Sequence, residues 1–63
     1  MKIGDIVFNI HNKQFAEITH VYNESVFAAD YDLNVGHLWP NYTIVVVNPD
    51  TPQNRLKIQL KYA

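Results

Sequence analysis

Two runs rich in β-branched and aromatic residues, 14–22 and 26–31, flank the tripeptide Asn23-Glu24-Ser25. Such residues suit a pleated, half-buried surface, and a short polar break between two of them reads as a hairpin. A lone hairpin is marginal in water, so the rest of the chain must supply further strands. Along the first run Ala16, Ile18, His20 and Tyr22 fall on one face, and Phe15, Glu17, Thr19 and Val21 on the other. Both faces carry apolar residues. The strand is therefore expected to curve, with its buried face changing along its length.

Strand patterns recur on both sides of the hairpin. Residues 5–10 place Ile6, Phe8 and Ile10 on one face and Val7 and Asn9 on the other, and His11-Asn12-Lys13 follows as a turn. Asp, Asn and Gly mark another turn between Asp30 and Gly36. A fourth strand starts at His37-Leu38-Trp39 and stops at Pro40, which cannot donate to a ladder. Residues 40–44 fit one turn of 3₁₀ helix, and 45–47 a fully apolar strand. The stretch 48–54 has two prolines and no apolar residue, and reads as a loop. Residues 55–62 alternate: Leu56, Ile58, Leu60 and Tyr62 against Lys57, Gln59 and Lys61, the pattern of an exposed strand with one buried face. No stretch reads as a capped helix. The expected fold is all-β and one domain over 1–63, with five strands within 2–48, a loop at 49–54 and an added strand at 55–62.

At 63 residues the chain has a small core, and it has no cysteine for a disulfide, a thiolate zinc site or a thiol nucleophile. Its longest apolar run, 44–47, is far short of a membrane span. The first residues lack the pattern of a secretory signal, so the sequons at Asn23 and Asn41 are expected to be chance matches and the protein to be cytoplasmic. With 48% hydrophobic residues and a net charge of −1, disorder is not expected. Asn, Ile, Lys and Tyr number 21 residues against 10 for Gly, Ala, Arg and Pro, a bias toward AT-rich codons that points to a low-GC bacterium or its phages.

The order of these elements resembles the small SH3-like β-barrels, including bacterial and phage relatives of KOW and Tudor domains. The resemblance is carried by Lys2-Ile-Gly-Asp-Ile-Val7, by Ala16-Glu-Ile-Thr-His-Val21 with the strand that returns at 26–31, and by Leu38-Trp39-Pro40 leading into Ile44-Val-Val-Val47. It covers residues 2–48 and implies a five-stranded barrel. Asn12-Lys13-Gln14 stands where the family usually has a glycine, and the tail from 48 is an addition.

Chemistry-bearing motifs are sparse. Asp30-x-Asp32-x-Asn34 has the spacing of a calcium loop, but Gly36 comes one position late and Asn41 stands where a bidentate Glu is needed. His11, His20 and His37 match no zinc spacing. Ser25, the only serine, has no histidine at motif spacing, and a barrel of this size is filled by its own side chains, with no cleft for a carboxylate pair among Asp5, Asp30 and Asp32. No enzyme activity, metal or cofactor is expected.

The aromatic residues point to binding. Tyr31, Trp39 and Tyr42 flank the 32–37 turn and the 3₁₀ turn, and with Asp30 and Asp32 they form the candidate surface for a protein partner. Trp39 also reads as a plug for one end of the barrel. Arg55, Lys57 and Lys61 lie on one face of the added strand, which reads as a phosphate-tracking stripe for nucleic acid or as charges protecting an edge. The tail is also suited to pair with its own barrel or with a second copy, giving a homodimer. The expected function is a non-catalytic protein-binding module, a phage or mobile-element protein that modulates a host protein. The alternatives are a nucleic-acid-binding barrel and a small-ligand binder at a homodimer seam.

Overall fold

The computed structural model of the chain describes residues 1–30 and 32–63; Tyr31, a candidate contact residue, lies outside the described residues. Five strands form one antiparallel sheet: β1 (Ile6–Asn9), β2 (Gln14–Val21), β3 (Ser25–Asp30), β4 (Val35–Pro40) and β5 (Ile44–Val47), in the order β4-β3-β2-β1-β5. A 3₁₀ turn (Asn41–Thr43) joins β4 to β5, and helix α1 (Pro52–Lys61) ends the chain. The hairpin around Asn23 and the 3₁₀ turn fall where the sequence places them.

The connection from β4 to β5 shapes the sheet. A flat five-stranded sheet holds its edges about 19 Å apart, at about 4.8 Å per strand. Three 3₁₀ residues rise only about 2 Å each. The sheet therefore rolls so that its two edges approach at this end, without pairing with each other. The 3₁₀ turn spans the mouth. Asn41 N–H donates to Glu24 O at 2.9 Å, and Ile10 N–H donates to Thr43 O at 2.9 Å.

The rolled sheet has two apolar faces. Val7, Ala16, Ile18, Val26, Ala28, Trp39 and Ile44 form the core on the concave side. Phe8 points the other way. It is fully buried, opposite Phe15 in the register, with ring centroids 4.7 Å apart, and Tyr62 covers it from α1 at 6.5 Å. The convex face is thus covered by α1 near β1, and uncovered over β3 and β4.

A register shift in β2 between Ile18 and His20 explains why both of its faces are apolar. Ile18 pairs with Ala28 on the core side, whereas His20 pairs with Phe27 on the convex side. The extra residue, Thr19, inverts the alternation, so His20 does not share the face of Ile18 as strict period-two reading expects.

The tail is a helix and not the added strand expected at 55–62. Thr51 is its N-cap, its hydroxyl accepting from Asn54 N–H at 3.1 Å, and Pro52 occupies the first turn, where a missing N–H costs nothing. Leu56 and Leu60 lie one turn apart on the solvent side, while Asn54, Arg55, Ile58 and Tyr62 are half-buried against the sheet. Period-two alternation coincides with helical spacing for Leu56–Leu60 and Ile58–Tyr62, and the Thr-Pro cap decides between them. With no strand at the tail, a homodimer through that strand and a ligand seam built on it lose their basis.

Turns carry the remaining polar groups. Asn9, buried, accepts His11 N–H at 2.8 Å and Asn12 N–H at 3.1 Å through Oδ1. Lys13 stands at φ 64°, the left-handed conformation usually given to glycine. Its Nζ donates to the carbonyls of Ile10 and Tyr62, which ties the β1–β2 turn to the end of α1.

A candidate binding trough across the sheet

The uncovered convex face is a depression. Directly paired residues set the row Ile6, Glu17, Ala29, Gly36 across β1 to β4. Ala29 is small, so the row sinks there between α1 on one side and, on the other, the ring of Phe27, which lies over Gly36. Two hollows of about 300 and 260 Å³ lie along it and share Ala29 and Asp30. A third, of about 330 Å³, continues past Arg55 to Thr51 and Pro52.

The trough is strongly acidic. Glu17, Asp30, Asp32 and Asp50 line its central hollow, against one cation, Arg55. The whole chain has six acidic residues, and four of them line this one concavity. The floor beneath is apolar: Ile6, Phe15 and Ala29. Low-dielectric walls beneath like charges focus the field and raise its reach toward a cation.

Each carboxylate is placed by a separate element. Asp30 ends β3, is itself buried, and accepts Asp32 N–H at 3.1 Å and Leu33 N–H at 3.3 Å, which fixes the β3–β4 turn. That turn carries Asp32 exposed at the rim, and Asn34 closes it at φ 54°. Asp50 precedes the α1 cap. Arg55, one turn into α1, meets Asp50 through Nε–H to Oδ1 at 2.5 Å and Nη2–H to Oδ2 at 2.9 Å. The same guanidinium stands 4.9 Å from the centre of the Phe15 ring. This pair lowers the pKa of Asp50, chiefly through the hydrogen bond from Arg55, and raises that of Arg55.

The candidate residues are divided between sites. Asp30 and Asp32 belong to the trough. Tyr42, 81% exposed in the 3₁₀ turn, sits at the opposite end of β4, about 16 Å away at 3.3 Å per residue. Val21 and Tyr22, also exposed, belong to the hairpin end that Asn41 N–H meets at Glu24 O. Trp39 is only 6% exposed, packed in the core and stacked on His37 at 4.8 Å. The basic stripe is broken up. Arg55 faces the trough, while Lys57 and Lys61 sit one turn apart on the solvent side of α1.

Phe15, Ala29, Gly36 and Asp50 line the trough although no motif in the sequence singles them out. The available signal is the Asp50-Thr-Pro-Gln-Asn-Arg55 segment, where a capped helix start brings the acid and the base together. Among the described residues no three His, Asp or Glu side chains converge as metal ligands, and no helix is long and apolar enough to cross a membrane. No protein-family model, curated protein or solved structure matches the chain.

Proposed function

We propose that this chain is a non-catalytic binding module on an SH3-like frame, and that its trough holds a cationic segment of a partner protein. The frame reading is supported by the meander from β1 to β4, by β5 returning beside β1, and by the 3₁₀ turn between β4 and β5. The observation that carries the function is the trough itself: four acidic residues line a hollow with an apolar floor, opposed by one guanidinium. An extended peptide at about 3.3 Å per residue needs about four residues to cross the roughly 14 Å of four strands, which suits such a segment. Lysine and arginine stems cover apolar surface while their charged heads reach the rim.

The test is a chemical-shift titration of the labelled protein with hexa-lysine, hexa-arginine, hexa-glutamate and a short DNA duplex. The basic peptides are expected to shift Glu17, Ala29, Asp32 and Gly36, with affinity falling as salt rises. The double variant Glu17→Gln, Asp32→Asn should bind them at least about threefold more weakly, since exposed pairs each contribute up to about 1 kcal/mol. DNA binding through Lys57 and Lys61, without response to the basic peptides, would replace this reading with a nucleic-acid one. The involvement of Arg55 with Asp50 leaves that surface one cation poorer.

A further inference from the structure

We propose that Arg55 is an internal ligand of the trough: its guanidinium holds the seat that a partner's arginine takes, and binding exchanges one for the other. This rests on the cationic-segment reading above. The Arg55–Asp50 pair lies between two hollows and lines both, one toward Ala29 and one toward Pro52. It is a bar across the channel and not part of a filled core.

The seat has the chemistry of guanidinium recognition. A planar fork meets both oxygens of one carboxylate, Nε to Oδ1 and Nη2 to Oδ2, and an aromatic face, Phe15, stands 4.9 Å away. An ammonium has no second parallel donor for such a carboxylate and does not stack as a plane. The seat therefore selects arginine over lysine. Its present occupant is tethered to a helix with no fully buried residue, by a side chain 40% exposed, so it is free to swing into solvent when displaced. Among the described residues Glu17, Asp30 and Asp32 make no ion pair, and they remain to attract the incoming chain.

The experiment measures affinity for labelled hexa-arginine and hexa-lysine with the wild type, Arg55→Gln, Arg55→Lys and Lys57→Gln. Lys57 faces solvent on the same helix, so its loss gives the long-range charge effect alone. Removing the internal competitor should tighten hexa-arginine binding by about three- to tenfold in Arg55→Gln, the scale of one exposed ion pair with stacking, against less than about twofold in Lys57→Gln. Arg55→Lys should fall between them, and the preference for hexa-arginine over hexa-lysine should be largest in Arg55→Gln. In the wild type, the Nε–H resonance of Arg55 should move to its solvent position as hexa-arginine saturates. Equal tightening in Arg55→Gln and Lys57→Gln, or an Arg55 Nε–H signal that stays paired at saturation, overturns the exchange while leaving the trough as a cation site. Failure of every form to bind either peptide overturns both readings.

Discussion

The ring of Phe27 occupies the space that a side chain at position 36 would need. A Cβ built on Gly36 would stand 2.5 Å from Cζ and 2.7 Å from Cε1 of Phe27, across the β3–β4 pair. Gly36 thus lets the ring lie over β4, where it closes that end of the trough. Gly36→Ala should displace the ring and destabilise the protein by about 1 kcal/mol, the low end for overpacking, because the ring is partly exposed and able to move. In a Phe27→Ala background the same change should be neutral or slightly stabilising, since alanine restricts the unfolded chain. Urea unfolding of the four forms gives the coupling; equal costs of Gly36→Ala in both backgrounds would refute the packing account.

Helix α1 makes a second expectation. Thr51→Ala removes the cap of Asn54 N–H and should cost about 1 kcal/mol, within the usual 0.5–2 for such caps. Gln59→Pro, on the exposed side, should cost about 3 kcal/mol by breaking the helix interior, and should uncover Phe8 and Phe15 to solvent. The far-ultraviolet circular dichroism of Gln59→Pro should lose its helical component. A spectrum unchanged by the proline would mean that the tail is not helical.

The tail also shows where sequence reading stops. Strands β1 to β5 and the 3₁₀ turn were legible because β-rich runs and polar breaks alternate at short intervals. The tail was not, because Leu56, Ile58, Leu60 and Tyr62 satisfy period two while the pairs Leu56–Leu60 and Ile58–Tyr62 also satisfy a helix. Thr51-Pro52 was the deciding signal, and it lay inside a stretch that read as loop. Asp30 and Asp32 were legible as site candidates from their density in a turn. Their neighbours Glu17 and Asp50 were not, and Arg55 read only as part of a basic stripe, since only β2 register and the start of α1 bring them together. Tyr42 stood near the aspartates in sequence, but β4 carries it to the far end of the sheet.

Acid should weaken the fold in part through Asp50. Its pKa lies below the ordinary aspartate value of 3.8 because Arg55 donates to its carboxylate. Asp5 is lowered in the same direction, first by the backbone N–H of Lys2 at 3.0 Å. A carboxyl with a depressed native pKa binds protons more readily in the unfolded chain, so its contribution is complete above about pH 5 and is lost as pH falls through 4 and below. Asp50 is largely exposed, so solvent screening keeps its share to at most about 1 kcal/mol. Between pH 6 and pH 3 the melting temperature of Asp50→Asn should fall less than that of the wild type. Parallel falls would show that the pair adds nothing to stability.

Trp39, the only tryptophan, is a built-in probe of the core. Buried and stacked on His37, it should emit at short wavelength and resist quenching by acrylamide until the protein unfolds. Hexa-arginine in the trough should leave that emission unchanged, because Trp39 faces the concave core and the trough lies on the convex face. A strong emission change on peptide binding, in a protein that stays folded, would return Trp39 to the contact surface.

Asp30 joins the fold to the trough, and two substitutions separate its roles. Its Oδ1 accepts two turn N–H groups, and the residue lines the central hollow. Asp30→Asn keeps an acceptor at the same place and loses the charge. Asp30→Ala loses both, and leaves the Asp32 and Leu33 N–H groups without their partner. The alanine form should therefore be less stable than the asparagine form by about 1–2 kcal/mol, the usual cost of losing a buried acceptor. Both should bind hexa-arginine equally weakly, because the charge is absent in each. Chemical denaturation and the peptide titration measure the two effects on the same samples. If Asp30→Asn binds as tightly as the wild type, the charge of Asp30 has no part in the trough, and attraction falls to Glu17, Asp32 and Asp50 alone.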